Sequence, residues 1–211
     1  MVQVEVGPEM TMFHIHKRLL SDASPYFRAA LGGGYKESFE QKIELLEEDP
    51  SMFKRFQLWL YTGSILELHE QSRLPSTVLV DLYIFGETRI IPGLQNAVID
   101  STIDELIQHQ LISVRSIDHL YANTSKRSPI RRLYVEMIID NNVDLNDLKW
   151  GIARELSEFA YPREFLTDMI LSQHERLAGK REKCKNFGKE RERYYVPTSG
   201  GRIDVKEERN G

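Results

Sequence analysis

The segment Asp49–Gly63, DPSMFKRFQLWLYTG, carries its own start, its own buried face and its own stop. Asp49 offers the short side-chain acceptor that caps a helix. Pro50 follows at the first turn, where a missing N–H costs nothing. Met52, Phe53, Phe56, Trp59 and Leu60 recur at spacings of three and four, one stripe of a helix. Gly63 ends it, because glycine enters the left-handed region without a Cβ penalty. A face with two phenylalanines and a tryptophan is core, so other apolar elements must close around this helix. On that reading Trp59→Ala is expected to cost about 3–5 kcal/mol.

Those elements lie on both sides. Val2, Val4 and Val6 alternate with Gln3 and Glu5, the period of a half-buried strand, and Gly7-Pro8 closes it. Met12–Ile15 offers a second strand, with Pro8–Thr11 as a hairpin connection. The pattern turns helical from His16 to Leu20. Ser24 caps a further helix with Pro25 in first position; Tyr26, Phe27, Ala30 and Leu31 give its spacing, and Gly32-Gly33-Gly34 stops it. Lys42–Leu46 is a third short strand. After the aromatic helix, Leu79, Leu82, Tyr83 and Gly86 mark another from about Ser76. Pro92 opens the next, with Leu94, Val98, Ile103 and Leu106 in phase. Residues 1–108 thus read as an α+β module.

From Ser113 the signal is helical only. Val114, Ile117, Leu120 and Tyr121 form one stripe. Pro129 starts a second, with Ile130, Leu133, Tyr134, Met137 and Ile138, broken at Asn141-Asn142. Leu148, Ile152, Leu156 and Phe159 give a third. Pro162 starts a fourth, with Phe165, Leu166, Met169 and Ile170. These are the spacings of antiparallel helix hairpins, and residues 109–178 read as an all-α extension. Residues 179–211 differ. Seven basic residues stand against three acidic between Lys180 and Arg193, with few apolar ones. That composition reads as a fraying helix followed by disorder past Pro197.

A single cysteine, Cys184, excludes an intrachain disulfide and points to a reducing compartment, cytosol or nucleus. No apolar run reaches the roughly 18 residues that span a bilayer, and Met1–Gly7 is too short and acidic for a signal peptide. A net charge of −4 gives no field that favours nucleic acid. Membrane and nucleic acid are therefore not expected as partners, nor is a small-molecule substrate.

Chemistry-bearing residues do not assemble into a reactive set. His14 and His16 lie two apart on a strand, but a zinc site needs further ligands at set spacings. The triple glycine follows a helix and precedes Tyr35-Lys36-Glu37, the reverse of a phosphate loop. Ser24 and Ser38 lack a nucleophile-elbow context. Glu47-Glu48-Asp49 favours a helix N-terminus electrostatically. We expect no catalytic, metal-binding or cofactor-binding residue, hence no enzyme.

In order along the chain stand F-x-x-H-K-x-x-L (Phe13, His16, Lys17, Leu20) and S-x-Y-F (Ser24, Tyr26, Phe27). Then come the glycine stop with Glu37, E-x-D-P (Glu47, Asp49, Pro50) and F-x-x-W-L-Y-T-G (Phe56 to Gly63). This combination resembles the BTB/POZ domain in the short form common in fungal proteins. Leu79–Asp100 looks like that family's closing helices. The resemblance covers residues 2–108 and implies a three-layer interaction module that commonly self-associates as a homodimer. Many family members are substrate adaptors of cullin-type ubiquitin ligases, in which a hydrophobic-x-Glu tripeptide meets the cullin. The matching residues here are Tyr35, Lys36 and Glu37. The alternative it implies is an oligomerising scaffold or transcription-linked protein without cullin binding.

Overall fold

The computed structural model describes residues 1–34, 36–67, 74–109, 116–140 and 161–198. The stripe Leu148, Ile152, Leu156 and Phe159 and the residue Val114 lie outside them. Three short strands form one sheet in the order β2-β1-β3. β1 (Val2–Val6) pairs antiparallel with β2 (Thr11–Ile15), placing Val4 opposite Phe13, and parallel with β3 (Lys42–Leu45), placing Val4 opposite Ile43. The alternation of β1 is realised: Val2, Val4 and Val6 are buried, Gln3 is exposed and Glu5 half-buried. A parallel partner needs a crossover, supplied by α1 (Lys17–Ala23), α2 (Pro25–Gly32) and α3 (Lys36–Glu40).

α4 (Pro50–Thr62) has the ends its sequence demands. Asp49 accepts from the Ser51 and Met52 N–H groups at 2.8 and 2.9 Å, and Gly63 sits at φ 75°. Met52, Phe53 and Phe56 are buried, and Phe56 meets Phe53, Phe85 and Phe27 at ring distances of 5.4, 4.9 and 6.2 Å. Trp59 is only half-buried. It stacks on Phe56 at 6.2 Å and lies over Gly93, where a Cβ would stand 3.0 Å from Trp59 Cζ2. The helical period places Trp59 on the core stripe, but the stripe reaches the rim at that turn. Trp59→Ala is accordingly expected to cost about 2 kcal/mol rather than the 3–5 of a closed site; urea denaturation measures it, and a loss above about 4 would mean the ring is held more tightly than its exposure implies.

Ser24 caps α2 by accepting from the Phe27 N–H at 3.2 Å and also donates to the Arg89 carbonyl at 2.5 Å, tying α2 to the far end of α5 (Ser76–Thr88). α6 (Pro92–His109) packs on α5, with Leu94, Val98, Ile99 and Ile103 fully buried. The fold is α+β in this half, as expected, and helical beyond it.

α7 (Ile117–Asn123) and α8 (Pro129–Asp140) bury Ile117, Leu120, Tyr121, Ile130, Leu133, Tyr134 and Met137. Arg131 is also buried, donating to the Tyr121 and Thr124 carbonyls and pairing with Glu164 at 2.9 Å. α9 (Arg163–Leu177) uses half of its expected stripe. Phe165 is buried and Met169 packs on the core, while Leu166 and Ile170 are 46% and 70% exposed. The helix packs on α8 and on α7, where Phe165 meets the Tyr121 ring at 5.5 Å, and its buried face lies one step round from the face read in the sequence.

The largest difference lies after Gly179. Residues 180–196 form a strap laid across α6 and α8 instead of a fraying helix. Its one regular piece is a 3₁₀ turn, Arg191–Tyr194. Cys184, Phe187 and Tyr194 are buried, and the rings of Phe187 and Tyr194 stack at 6.0 Å. Three of the basic residues that read as a solvated face, Arg181, Arg191 and Arg193, are paired with acids. Arg181 holds Asp140 through two bonds of 2.7 and 2.8 Å, and Arg191 reaches Asp100 and Asp104, each at 3.0 Å. Tyr194 donates to Glu136 at 2.7 Å, and Asn96 exchanges two bonds with the Val196 backbone. Basic residues facing acids on another element are structural, and composition alone does not reveal it.

Candidate partner-binding surface

The tripeptide singled out in the sequence lies at the junction of α2 and α3. α2 ends against Gly33, and Gly34 takes φ 74°, which turns the chain away from the helix axis. Tyr35 lies outside the described residues. Lys36 opens α3, and Glu37 occupies its first turn, half-buried, where a carboxylate favours the helix dipole. Two residues on, Phe39 is 80% exposed. An aromatic ring held that far out on a described helix is a ready anchor for a partner's apolar pocket. Sequence reading missed Phe39, because a helix this short shows no period; its signal is an aromatic between Glu37 and Glu40 with no apolar neighbour at helical spacing within α3.

The other candidates take structural places. His14 is exposed on β2. His16 precedes α1, and its Nδ1 lies 2.7 Å from the Tyr61 hydroxyl, which also accepts from the His16 N–H. Ser24 is used as a cap and Glu48 pairs with Arg89. Among the described residues no three His, Cys, Asp or Glu side chains converge as metal ligands. No described helix is long and apolar enough to cross a membrane. Buried hydroxyls, such as Tyr83, pushed up to about 12 chiefly by burial, accept or donate within the core.

A small mixed sheet under α1–α5, with the aromatic helix α4 as its centre, is matched by one domain model. Residues 2–86 fit the BTB/POZ domain from the first strand into α5. These residues are a BTB/POZ domain. Similar proteins include TD and POZ domain-containing protein 3 of Mus musculus, 38% identical over 60 residues, which are 28% of this chain and 16% of that one. TD and POZ domain-containing protein 4 of Mus musculus is 29% identical over 110 residues, 51% of this chain and 30% of that one. Kelch-like protein 21 of Danio rerio is 25% identical over 149 residues, 70% of this chain and 23% of that one. The aligned residues span between 16% and 30% of these relatives' length. The relatives are vertebrate proteins and lend no support to the short fungal form. The BTB/POZ domain is a protein-interaction module and is generally non-catalytic.

Proposed function

We propose that this BTB/POZ protein is a substrate adaptor that engages a cullin-type ubiquitin ligase through Tyr35, Lys36 and Glu37. The observation that carries the reading is the junction at α3. A hydrophobic-x-Glu tripeptide sits after a glycine turn, and Phe39 beyond it stands 80% clear of the protein. An exposed aromatic filling a partner pocket, with a carboxylate paired at the rim, is the arrangement that concentrates binding energy in a few residues. The extension of helices α7–α9 after the BTB/POZ domain supports the reading, since adaptors of this class place helices beside the same face.

Calorimetry against a cullin N-terminal domain tests it. Wild-type protein is expected to bind at micromolar concentration, and Tyr35→Ala or Glu37→Lys to weaken binding by roughly ten-fold or more, about 1.4 kcal/mol, with an unchanged thermal melt. No heat from the wild type at tens of micromolar would rule the adaptor reading out. A second reading, an oligomerising scaffold without cullin binding, is favoured by β2. It is an outer strand of the sheet, and Met12 on it is 43% exposed. Sedimentation tests this second reading, because a scaffold of this kind self-associates at micromolar concentration, and a clean monomer there would rule it out.

A further inference from the structure

A cleft of about 440 Å³ opens between α8, α9 and the strap, and its walls hold more basic than acidic side chains. The whole chain is at net charge −4, so a hollow with a basic balance departs from the average of the protein. Internal ion pairs occupy Lys126, Arg131, Arg181 and Arg193 but leave Arg127 and, apart from a longer contact with Glu136, Arg132. Glu136, buried at 2% exposure, is shared by Arg132, Arg181 and Arg193 at 3.7, 3.4 and 3.4 Å. Asp140 takes up Arg181 and Glu190 takes up Arg193; Arg132 donates to the Arg193 carbonyl and lies over the Tyr194 ring at 5.1 Å, but its charge has no carboxylate nearer than Glu136 among the described residues. Arg127 is exposed on the rim and makes no ion pair among them. Two further wall donors are buried without a hydrogen-bond partner: Arg181 Nε and the hydroxyl of Ser172, a residue 8% exposed. Buried donors left unpaired are uncommon in folded proteins and mark places where a partner atom is missing. Beside them Leu171 is 55% exposed, an apolar shelf at the edge of a basic hollow.

We propose that this cleft binds a short acidic segment of a partner protein. A carboxylate or phosphoryl group of the segment sits against Arg127 and Arg132, and an apolar neighbour rests on Leu171. Guanidinium groups fit both anions through paired N–H donors. A nucleic acid strand fits less well: Asp168 and Glu175 also line the hollow and repel a continuous run of phosphates. The elements involved are not those of α3, so this site stands or falls separately from cullin binding.

Fluorescence anisotropy on the full chain tests it, with a labelled dodecapeptide of alternating Asp and Leu, its phosphoserine counterpart, and inorganic phosphate as competitor. The expected result is saturable peptide binding that weakens as salt rises. Arg127→Glu and Leu171→Asp, both surface changes, should each weaken it by roughly ten-fold with unchanged melts, and Glu175→Gln should tighten it. A phosphoserine peptide that binds tighter than the carboxylate one assigns the anion to a phosphorylated segment, and the reverse order assigns it to acidic side chains. No peptide binding at millimolar concentration, binding indifferent to Arg127→Glu, or a single-stranded oligonucleotide that outcompetes both peptides would overturn the proposal.

Discussion

Truncation after Gly179 is expected to lower the stability of the protein by about 5 kcal/mol or more. On charge and composition that segment reads as dispensable, and the structure reverses the expectation. The cut removes Tyr194, which is fully buried, together with Phe187 and Cys184. Losing one buried aromatic of this kind costs about 3–5 kcal/mol by itself. It also strips Arg181 and Arg193 from the buried Glu136 and leaves Asp140 with Arg176 alone. A carboxylate deprived of its partner in the interior costs as much again, about 3–5 kcal/mol. The two losses share a site and will not sum. For a chain of this size the melt should fall by roughly 10–20 °C. Truncation after Thr198 is the control that keeps the strap. If the protein cut at Gly179 melts with the full chain, the strap does not hold the helices.

Asp140→Ala is expected to cost about 3–5 kcal/mol for a related reason. The Asp140 side chain is fully buried at the end of α8. It accepts two bonds from Arg181, one from Arg176 at 3.3 Å and one from the Cys184 N–H at 2.9 Å. Burial alone would push its carboxyl up. The Arg181 bonds, the Cys184 N–H and the charge of Arg176 outweigh that and hold it below the usual carboxylate range. A carboxyl that is more acidic folded than unfolded adds stability above its unfolded value, near 4, and loses it as pH falls through the lower folded value. The stability gap between wild type and Asp140→Asn should therefore be widest near neutral pH and close as pH drops below about 4. Urea denaturation across that range measures it, and a gap that stays constant with pH would show that the charge of Asp140 adds nothing.

Local signals in the sequence proved legible because their physics is local. Ser24 and Asp49 cap helices through N–H groups two or three residues away, and Gly63 ends α4 by its own φ. The alternation of Val2, Val4 and Val6 needed only a sheet with one covered face. Periodicity gave the stripe of α4 but not its depth, so Trp59 was placed too far inside. On α9 the same signal gave the right helix and a face turned by one residue. The strap was illegible because every group that orders it lies far off in sequence: Asp140 is 41 residues from Arg181, Asp100 is 91 from Arg191, and Asn96 is 100 from Val196. Seen alone, those arginines and lysines have the composition of a solvated tail. At the candidate surface the sequence offered Tyr35, Lys36 and Glu37. Phe39 needed coordinates, since nothing in a run of glutamates and a serine says which way one ring points.

The clasp joining Asn96 to Val196 also sets an order of events during synthesis. At about 5–20 residues per second, the ribosome takes roughly 5–20 seconds to pass from one of these residues to the other. The BTB/POZ domain emerges first and has its strands and aromatic helix complete within that interval. α6 and α8 emerge with their acidic flanks bare and must wait for the basic residues that cover them. A nascent chain stalled before Lys180 would display a finished interaction module on an unfinished body, a form that chaperones and proteases can distinguish from the mature protein.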